Sequence, residues 1–334
     1  MGKLVGIVVV VAVVWCGWWA LASAGMQRGI FKWLDVRRSL GWQADVGNMQ
    51  KLGFPLRLHA RLNDVAIADP TTGVAVSMDQ LDISAPTYWP GYVTVALPET
   101  PITLANPNLR TTLTANGAVA DLRLRPGRSL QLESLGLSGG AWSLDTAADS
   151  IVAADAIDLS MLQQAANTPV YALKVNADNL APGKISRGFV GLSDDWPLAF
   201  DAFTADLMVT FDRVWDRRAL EQRRPQPRVI DLQRAHFTWG DIEILATGDL
   251  TVDEDGLVSG ALSIKAENWP ALLDMVQNAG YLPPNMRPQA EQMLKGLAQM
   301  TGKTTGLDLT LSFQEGRMSM GFIPLGRAPR IILR

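Results

Sequence analysis

A chain of 334 residues with 48% apolar and 19% charged side chains has the material for a packed core and is not the composition of a disordered segment. Its formal charge of −3 excludes the basic footprint of a general nucleic-acid binder. A single cysteine, Cys16, excludes a disulfide framework and any metal site built from several thiolates.

The first element is the least ambiguous. Leu4 to Gln27 carries no charge, and the stretch to Ala24 rises roughly 30 Å as a helix, the thickness of a bilayer's hydrocarbon core. Trp15, Trp18 and Trp19 stand towards its far end, where indoles favour the headgroup region. The reading is a transmembrane anchor over 1–25 followed by a juxtamembrane helix over 26–42. The alternative is a cleaved signal ending at Ala22-Ser23-Ala24, but such signals have an apolar core of only about 7–15 residues. Gly2 is no myristoylation signal, because position 6 is glycine. Arg28, Lys32, Arg37 and Arg38 follow the span and Lys3 precedes it, so the positive-inside rule alone would leave the body in the cytoplasm. Long domains, however, translocate largely regardless of flanking charge.

Period-two patterning dominates the rest of the chain. Phe54, Leu56, Leu58, Ala60 and Leu62 alternate with polar neighbours or proline, as a strand with one wet face does. Shorter runs follow at Val93–Leu97, Leu122–Leu124, Leu130–Leu132, Leu135–Leu137 and Leu173–Ala177, separated by Pro126-Gly127, Gly139-Gly140 and Pro182-Gly183. Phe203 to Phe211 repeats the alternation in its clearest form. Ile242–Val252 and Val258–Ile264 flank Asp255-Gly256, a hairpin signature. Asn268 can cap a helix with Trp269, Leu272, Leu273 and Val276 on one face, stopped by Gly280. A second helix follows Pro283-Pro284, and strands return at Leu307–Phe313 and Met318–Phe322. The fold class expected is mainly β (α+β): an elongated antiparallel sheet or open sandwich with a C-terminal helical pair. It divides into β-rich regions 43–183 and 184–334, the second carrying a helical insertion over 268–300. Even about eighteen strands in series would extend only roughly 85 Å, enough for a short groove.

Gly53-Phe54-Pro55-Leu56-Arg57, Trp215-Asp216-Arg217 and Asp255-Gly256 with Gly260 resemble a family of membrane-anchored Gram-negative envelope proteins described only as a domain of unknown function. The ending, Gly316 through Met320-Gly321-Phe322-Ile323-Pro324-Leu325, is similar to C-terminal repeats of AsmA-like proteins. The resemblance covers roughly residues 26–330. It implies an inner-membrane anchor, a periplasmic body and a role in envelope or lipid handling, and it supplies no catalytic residue.

Tested for chemistry, the chain offers little. Gly136-Leu137-Ser138-Gly139-Gly140 matches G-x-S-x-G with His236 downstream, but that motif must join a strand to a helix, and Ala141 onward reads as strand. A glycine-rich hairpin is the simpler reading. Gly302-Lys303-Thr304 ends like a phosphate loop but has Leu297 where the loop needs glycine. His59 and His236 read as strand residues, Asp253-Glu254-Asp255 as a turn without calcium-loop spacing, and Asp194-Asp195 as no defined acid–base pair. The expectation is no enzyme, no cofactor and no metal.

Two non-catalytic clusters remain. Arg217, Arg218, Arg223 and Arg224, with Arg213 and Arg228, form a basic segment diluted by Asp212, Asp216 and Glu221. It reads as a solvated loop or as a contact for anionic headgroups or a partner. Met286, Met293 and Met300 recur every seven residues, with Ala290 and Leu297 between them. That stripe either packs on the sheet or lines a lipid site as an adaptable lid of Met286, Met293, Leu297 and Met300. The function expected is a membrane-anchored protein that binds or handles membrane lipids in an apolar concavity of its sheet. The alternative is a scaffold for another envelope protein.

Overall fold

A computed structural model describes residues 2–189, 196–278, 282–300, 306–320 and 323–333, with the side chains of 2, 189, 297, 300 and 323–325 excepted. Among the described residues the chain opens with α1 (Gly2–Ser39), then β1 (Gln43–Asp45), β2 (Asn48–Leu52), β3 (Arg57–Asp69), β4 (Val74–Pro86) and β5 (Tyr92–Ala96). There follow β6 (Ile102–Ala105), β7 (Arg110–Ala115), β8 (Val119–Leu124), β9 (Leu132–Gly139), β10 (Trp142–Thr146), β11 (Ser150–Ala154) and β12 (Ala156–Gln163). Next come β13 (Val170–Asp178), β14 (Ala181–Pro182), α2 (Lys184–Phe189), β15 (Ala202–Phe211), α3 (Arg218–Glu221), β16 (Pro227–Trp239), β17 (Ile242–Val252) and β18 (Val258–Glu267). The chain closes with α4 (Trp269–Asn278), a 3-10 turn at Pro284–Met286, α5 (Arg287–Met300), β19 (Gly306–Gln314), β20 (Arg317–Met320) and β21 (Ile323–Arg327).

The described strands form one large open antiparallel sheet of 21 strands, as the fold class expected. Its connectivity is a meander whose strands are broken in mid-length. β4 is long enough to carry two neighbours, with Asp82–Ser84 pairing β5 and Ala75–Ser77 pairing β6. Beyond it, β5 and β6, β7 and β8, β9 and β10, β11 and β12, and β13 and β14 are each the two halves of one long strand, because the register is unchanged across the break, as from Gly139 opposite Ile157 to Trp142 opposite Ala154. The order runs β3, β4, β5/β6, β7/β8, β9/β10, β11/β12, β13/β14, then β15 and on in chain order to β21. A short step joins the two halves of each broken strand. Backbone bonds such as Leu97 N–H to Ala118 O and Asn116 N–H to Ala141 O stitch these steps together. Gly117, at φ +57°, and Asn179, at φ +49°, take the left-handed conformations that the steps need.

This pairing corrects one expectation. Gly139-Gly140 is not a hairpin turn, because β9 and β10 do not pair with each other; β9 pairs β12 while β10 pairs β11. The series from β3 to β21, each broken strand counted once, is fourteen strands, and thirteen steps of about 4.8 Å give roughly 62 Å, the span of a short groove. The sheet is continuous across residue 183, since β13 pairs β15. The expected anchor and juxtamembrane helix are one uninterrupted α1. The strand expected from Phe54 starts at Arg57 instead, with residues 54–56 turning beside Gly53 at φ +83°. The Asp255-Gly256 hairpin is as read, with Val252 opposite Val258.

The core is distributed rather than central. Met26 and Ile30 of α1 pack on Ala60, Leu62 and Val65. Leu132, Met161, Tyr171, Val209 and Phe211 form the middle cluster, and Leu250, Val258 and Phe313 the next. Trp269, Leu273 and Ala298 bring α4 and α5 onto Leu307. Val276 departs from the expected buried face of α4 and is exposed. The expected stop at Gly280 lies outside the described residues, as do Asp194-Asp195, Gly302-Lys303-Thr304 and Gly321-Phe322.

Candidate functional site: an open apolar trough

Register turns scattered period-two runs into one surface. Ala60, Ile83, Val95, Ala120, Leu137 and Leu159 are successive cross-strand partners. The same row continues through Val175, Ala205, Ala235, Ala246, Ile264 and Leu309. It crosses twelve strands, one residue from each of β3, β4, β5, β8, β9, β12, β13, β15, β16, β17, β18 and β19. A parallel row runs Val93, Leu122, Leu135, Met161, Leu173, Leu207 and Leu232, then past Gly248 to Leu262, Leu311 and Met320. At about 4.8 Å per strand the first row is roughly 53 Å long.

From Ile83 to Leu309 every member of the first row is half-buried, neither sealed nor free. Side chains on this face crowd their cross-strand neighbours, and among the described residues no second layer completes their burial. The opposite face carries Asp158, Ser160, Lys174 and Asn176, all exposed. An apolar face left half-open across so many strands is unusual for a sheet, which normally buries one face against another layer.

Walls stand around the band. At one end α1 covers β3, with Met26 and Ile30 packed on the cluster of Ala60, Leu62 and Val65 that Ile83 also joins. At the other, α4 and α5 cover Leu307 and Leu309. Along one side runs the β15–β16 connection, where Trp215 packs on the cluster holding Met161, Leu173 and Leu207. Tyr171, fully buried, fixes this strap: its hydroxyl donates to Leu132 O at 3.3 Å and accepts the Trp215 N–H at 3.2 Å. Leu132 N–H donates to Trp215 O at 2.8 Å and Arg217 N–H to Ser129 O at 3.0 Å. Within α3, the Leu220 carbonyl accepts from Arg37 near the end of α1, a guanidinium stacked 4.9 Å from the Trp42 ring.

The basic segment is this strap, and it is mostly neutralised by its own acids. Arg218 pairs with Asp216 at 2.7 Å, Arg223 with Asp212 at 2.6 Å and Arg217 with Glu221 at 3.5 Å, while no ion pair involves Arg224 among the described residues. Burial pushes the Asp216 carboxyl up, but the Arg218 side-chain and backbone donors and the Arg213 charge outweigh it and hold it below the usual carboxylate range. Burial likewise raises the Tyr171 phenol, which stays protonated and available as a donor. On the polar face of β3–β4, burial raises Asp82, while hydrogen bonds from Arg61, His59 and Gln80 outweigh it and depress its pKa.

The methionine stripe divides. Met286 is 54% and Met293 39% exposed, so neither packs on the sheet; the side chains of Leu297 and Met300 lie outside the described residues. The face of α5 that packs is Ala290, Leu294 and Ala298. At 100° per residue the centre of that face lies roughly 80–100° around the helix from Met286 and Met293, which places them on its flank. Sequence reading missed Tyr171 and Trp215. Trp215-Asp216-Arg217 was visible as a motif, but nothing local ties it to a tyrosine on another strand.

No catalytic geometry assembles around the G-x-S-x-G match. Ser138 lies within β9, opposite Val119 and Asp158, and the chain continues to β10 rather than to a helix. His59 contacts Asp82 at 2.8 Å and His236 contacts Glu243 at 3.0 Å, on strands that do not neighbour β9. Among the described residues no group of three or more His, Cys, Asp or Glu is placed to hold a metal ion.

The apolar helix is tied to the body. Trp15 Nε1 donates to Pro55 O at 2.9 Å, Trp18 Nε1 to Thr87 O at 3.0 Å and Trp19 Nε1 to Arg57 O at 2.8 Å. Residues 4–14 are exposed and uncharged, mostly valine, the pattern of a candidate membrane span or of a signal sequence. A family model described as an uncharacterized protein conserved in bacteria (DUF2125) matches residues 19–329. No curated protein matches the chain.

Proposed function

The chain belongs to the DUF2125 family of bacteria, and from that premise we propose that it is a membrane-anchored envelope protein that holds lipid acyl chains along the open trough. The observation that carries the reading is the half-buried apolar row from Ile83 to Leu309, whose middle is sealed by none of the described residues. In this reading α1 is retained in the inner membrane and the sheet lies in the periplasm. Retention is supported by the indole bonds, since cleavage after Ala24 would strip Trp15, Trp18 and Trp19 from the carbonyls they satisfy.

The openness also sets the strength of binding. Full burial of a methylene is worth about 0.8 kcal/mol, and a surface covering one side of a chain recovers only part of that. A lipid leaving a bilayer gives up the full value, so a half-open trough holds chains loosely. This suits exchange or passage better than storage. The polar strap, with Arg224 unpaired among the described residues and Arg217 and Arg223 half-exposed, offers cations to a phosphate at the trough's side.

Lipid extracted from the purified full-length protein and analysed by mass spectrometry tests the reading. Leu159→Gln with Val175→Gln, adjacent in the row, should strip the co-purifying lipid while the β-sheet circular-dichroism signal stays. Undiminished lipid in a folded double variant would refute the trough. One observation favours a scaffold instead: β21 pairs only β20 among the described residues, leaving an edge that a partner strand can extend. A stoichiometric protein in place of lipid would support that role.

A further inference from the structure

Beyond the trough, and resting on the anchored reading of α1, we propose that the body has a second membrane contact: an aromatic tip, formed by the turns at 53–56 and 87–91, that enters the leaflet beside the anchor. These turns close one end of β3, β4 and β5. They expose Leu56 at 66%, Tyr88 at 71% and Phe54 at 59%, with Trp89 beside them. Such a patch on a water-facing surface is costly, whereas amphipathic rings are favoured at a headgroup boundary.

The occupant follows from what the tip is fixed to. Its carbonyls at Pro55, Arg57 and Thr87 accept the three indole N–H groups of α1, and Phe54 packs edge-on against Trp19 with ring centroids 5.0 Å apart. Trp15 to Trp19 lie only about 17–23 Å along the helix from Leu4, while the hydrocarbon core is about 30 Å thick. If Lys3 marks one boundary, the bonded carbonyls sit roughly 8–14 Å short of the other, and tilting the helix deepens them. A body resting on top of the membrane is incompatible with those bonds. The charge distribution agrees: segments 51–58 and 83–95 contain no carboxylate, while exposed Lys51, Arg57 and Arg123 ring the tip at the level of headgroup phosphates. Since β3, β4 and β5 are also the strands where the apolar rows begin, the tip places the trough's first strands against the leaflet.

Nitroxide labels on the full-length chain test this in phosphatidylethanolamine/phosphatidylglycerol vesicles. In a Cys16→Ser background, single labels are placed at Leu56→Cys, Tyr88→Cys, Val10→Cys and, as an aqueous control, Leu162→Cys; all of these native residues are exposed, so folding is unaffected. The expected result is that Leu56→Cys and Tyr88→Cys lose collisions with an aqueous nickel chelate and gain them with oxygen, as Val10→Cys does, while Leu162→Cys keeps the aqueous pattern. A lipid signature at Val10→Cys with an aqueous one at Leu56→Cys and Tyr88→Cys would overturn the tip and leave the anchor standing. An aqueous signature at Val10→Cys would overturn both.

Discussion

Removing one oxygen, in Tyr171→Phe, isolates the hold on the strap. The ring is fully buried and keeps its edge-on contact with Phe211, centroids 5.8 Å apart, so almost no apolar burial is lost. What disappears is the donor to Leu132 O and the acceptor for the Trp215 N–H. A buried donor left without a partner costs about 1–3 kcal/mol. The strap can respond in two ways. If it stays closed, that cost falls on the whole sheet and the urea midpoint drops with an unchanged slope. If opening the strap costs less than that, it detaches instead and the amides from Trp215 to Gln222 exchange faster while the sheet keeps its protection. Urea unfolding read by circular dichroism, with hydrogen exchange on the same sample, separates the two. A variant matching the wild type in both measurements would refute the claim that Tyr171 fastens the strap.

Acid should weaken the protein through Asp82 and Asp216. Both have folded pKa values held below the ordinary carboxylate value, so the stability they contribute is present above about pH 4 and is lost as pH falls through their folded values. Urea midpoints from pH 7 to pH 3 should therefore fall less steeply in Asp82→Asn; identical slopes would count against this role. Gly248→Ala should lose at least about 1–3 kcal/mol, because φ is +151° and a Cβ would lie 2.2 Å from the Ala261 carbonyl oxygen. Gly136→Ala, with nothing within 4 Å of the added carbon, is the control and should be neutral or slightly stabilising in thermal melts. Alkaline carbonate should leave the full-length protein in the membrane fraction, and its mature amino terminus should precede Trp15; a terminus at Gly25 would show that the indole bonds do not persist.

Much of this architecture was legible because its signals are local. An uncharged run longer than a bilayer is thick cannot be mistaken for a strand, and Val252-Asp-Glu-Asp-Gly-Leu-Val258 fixes its own hairpin. Alternation along Phe203–Phe211 likewise determined that one face is apolar. The sequence did not carry which strands meet. Gly139-Gly140 reads as a hairpin turn in isolation, and only the pairing of β9 with β12 and of β10 with β11 in one continuous register makes it a break within a single long strand. The same holds for the methionines: a seven-residue spacing places Met286 and Met293 on one stripe, but the packing of Ala290, Leu294 and Ala298 decides that the stripe is a flank. Whether Leu159, Val175 and Ala205 are sealed or open was undecidable from their identities, because an apolar side chain buries equally well under a second sheet, a helix or a ligand. Local chemistry determined the apolar face, while the register of twelve strands and the placing of α1, α4, α5 and the strap at its margins decided that the middle stays open.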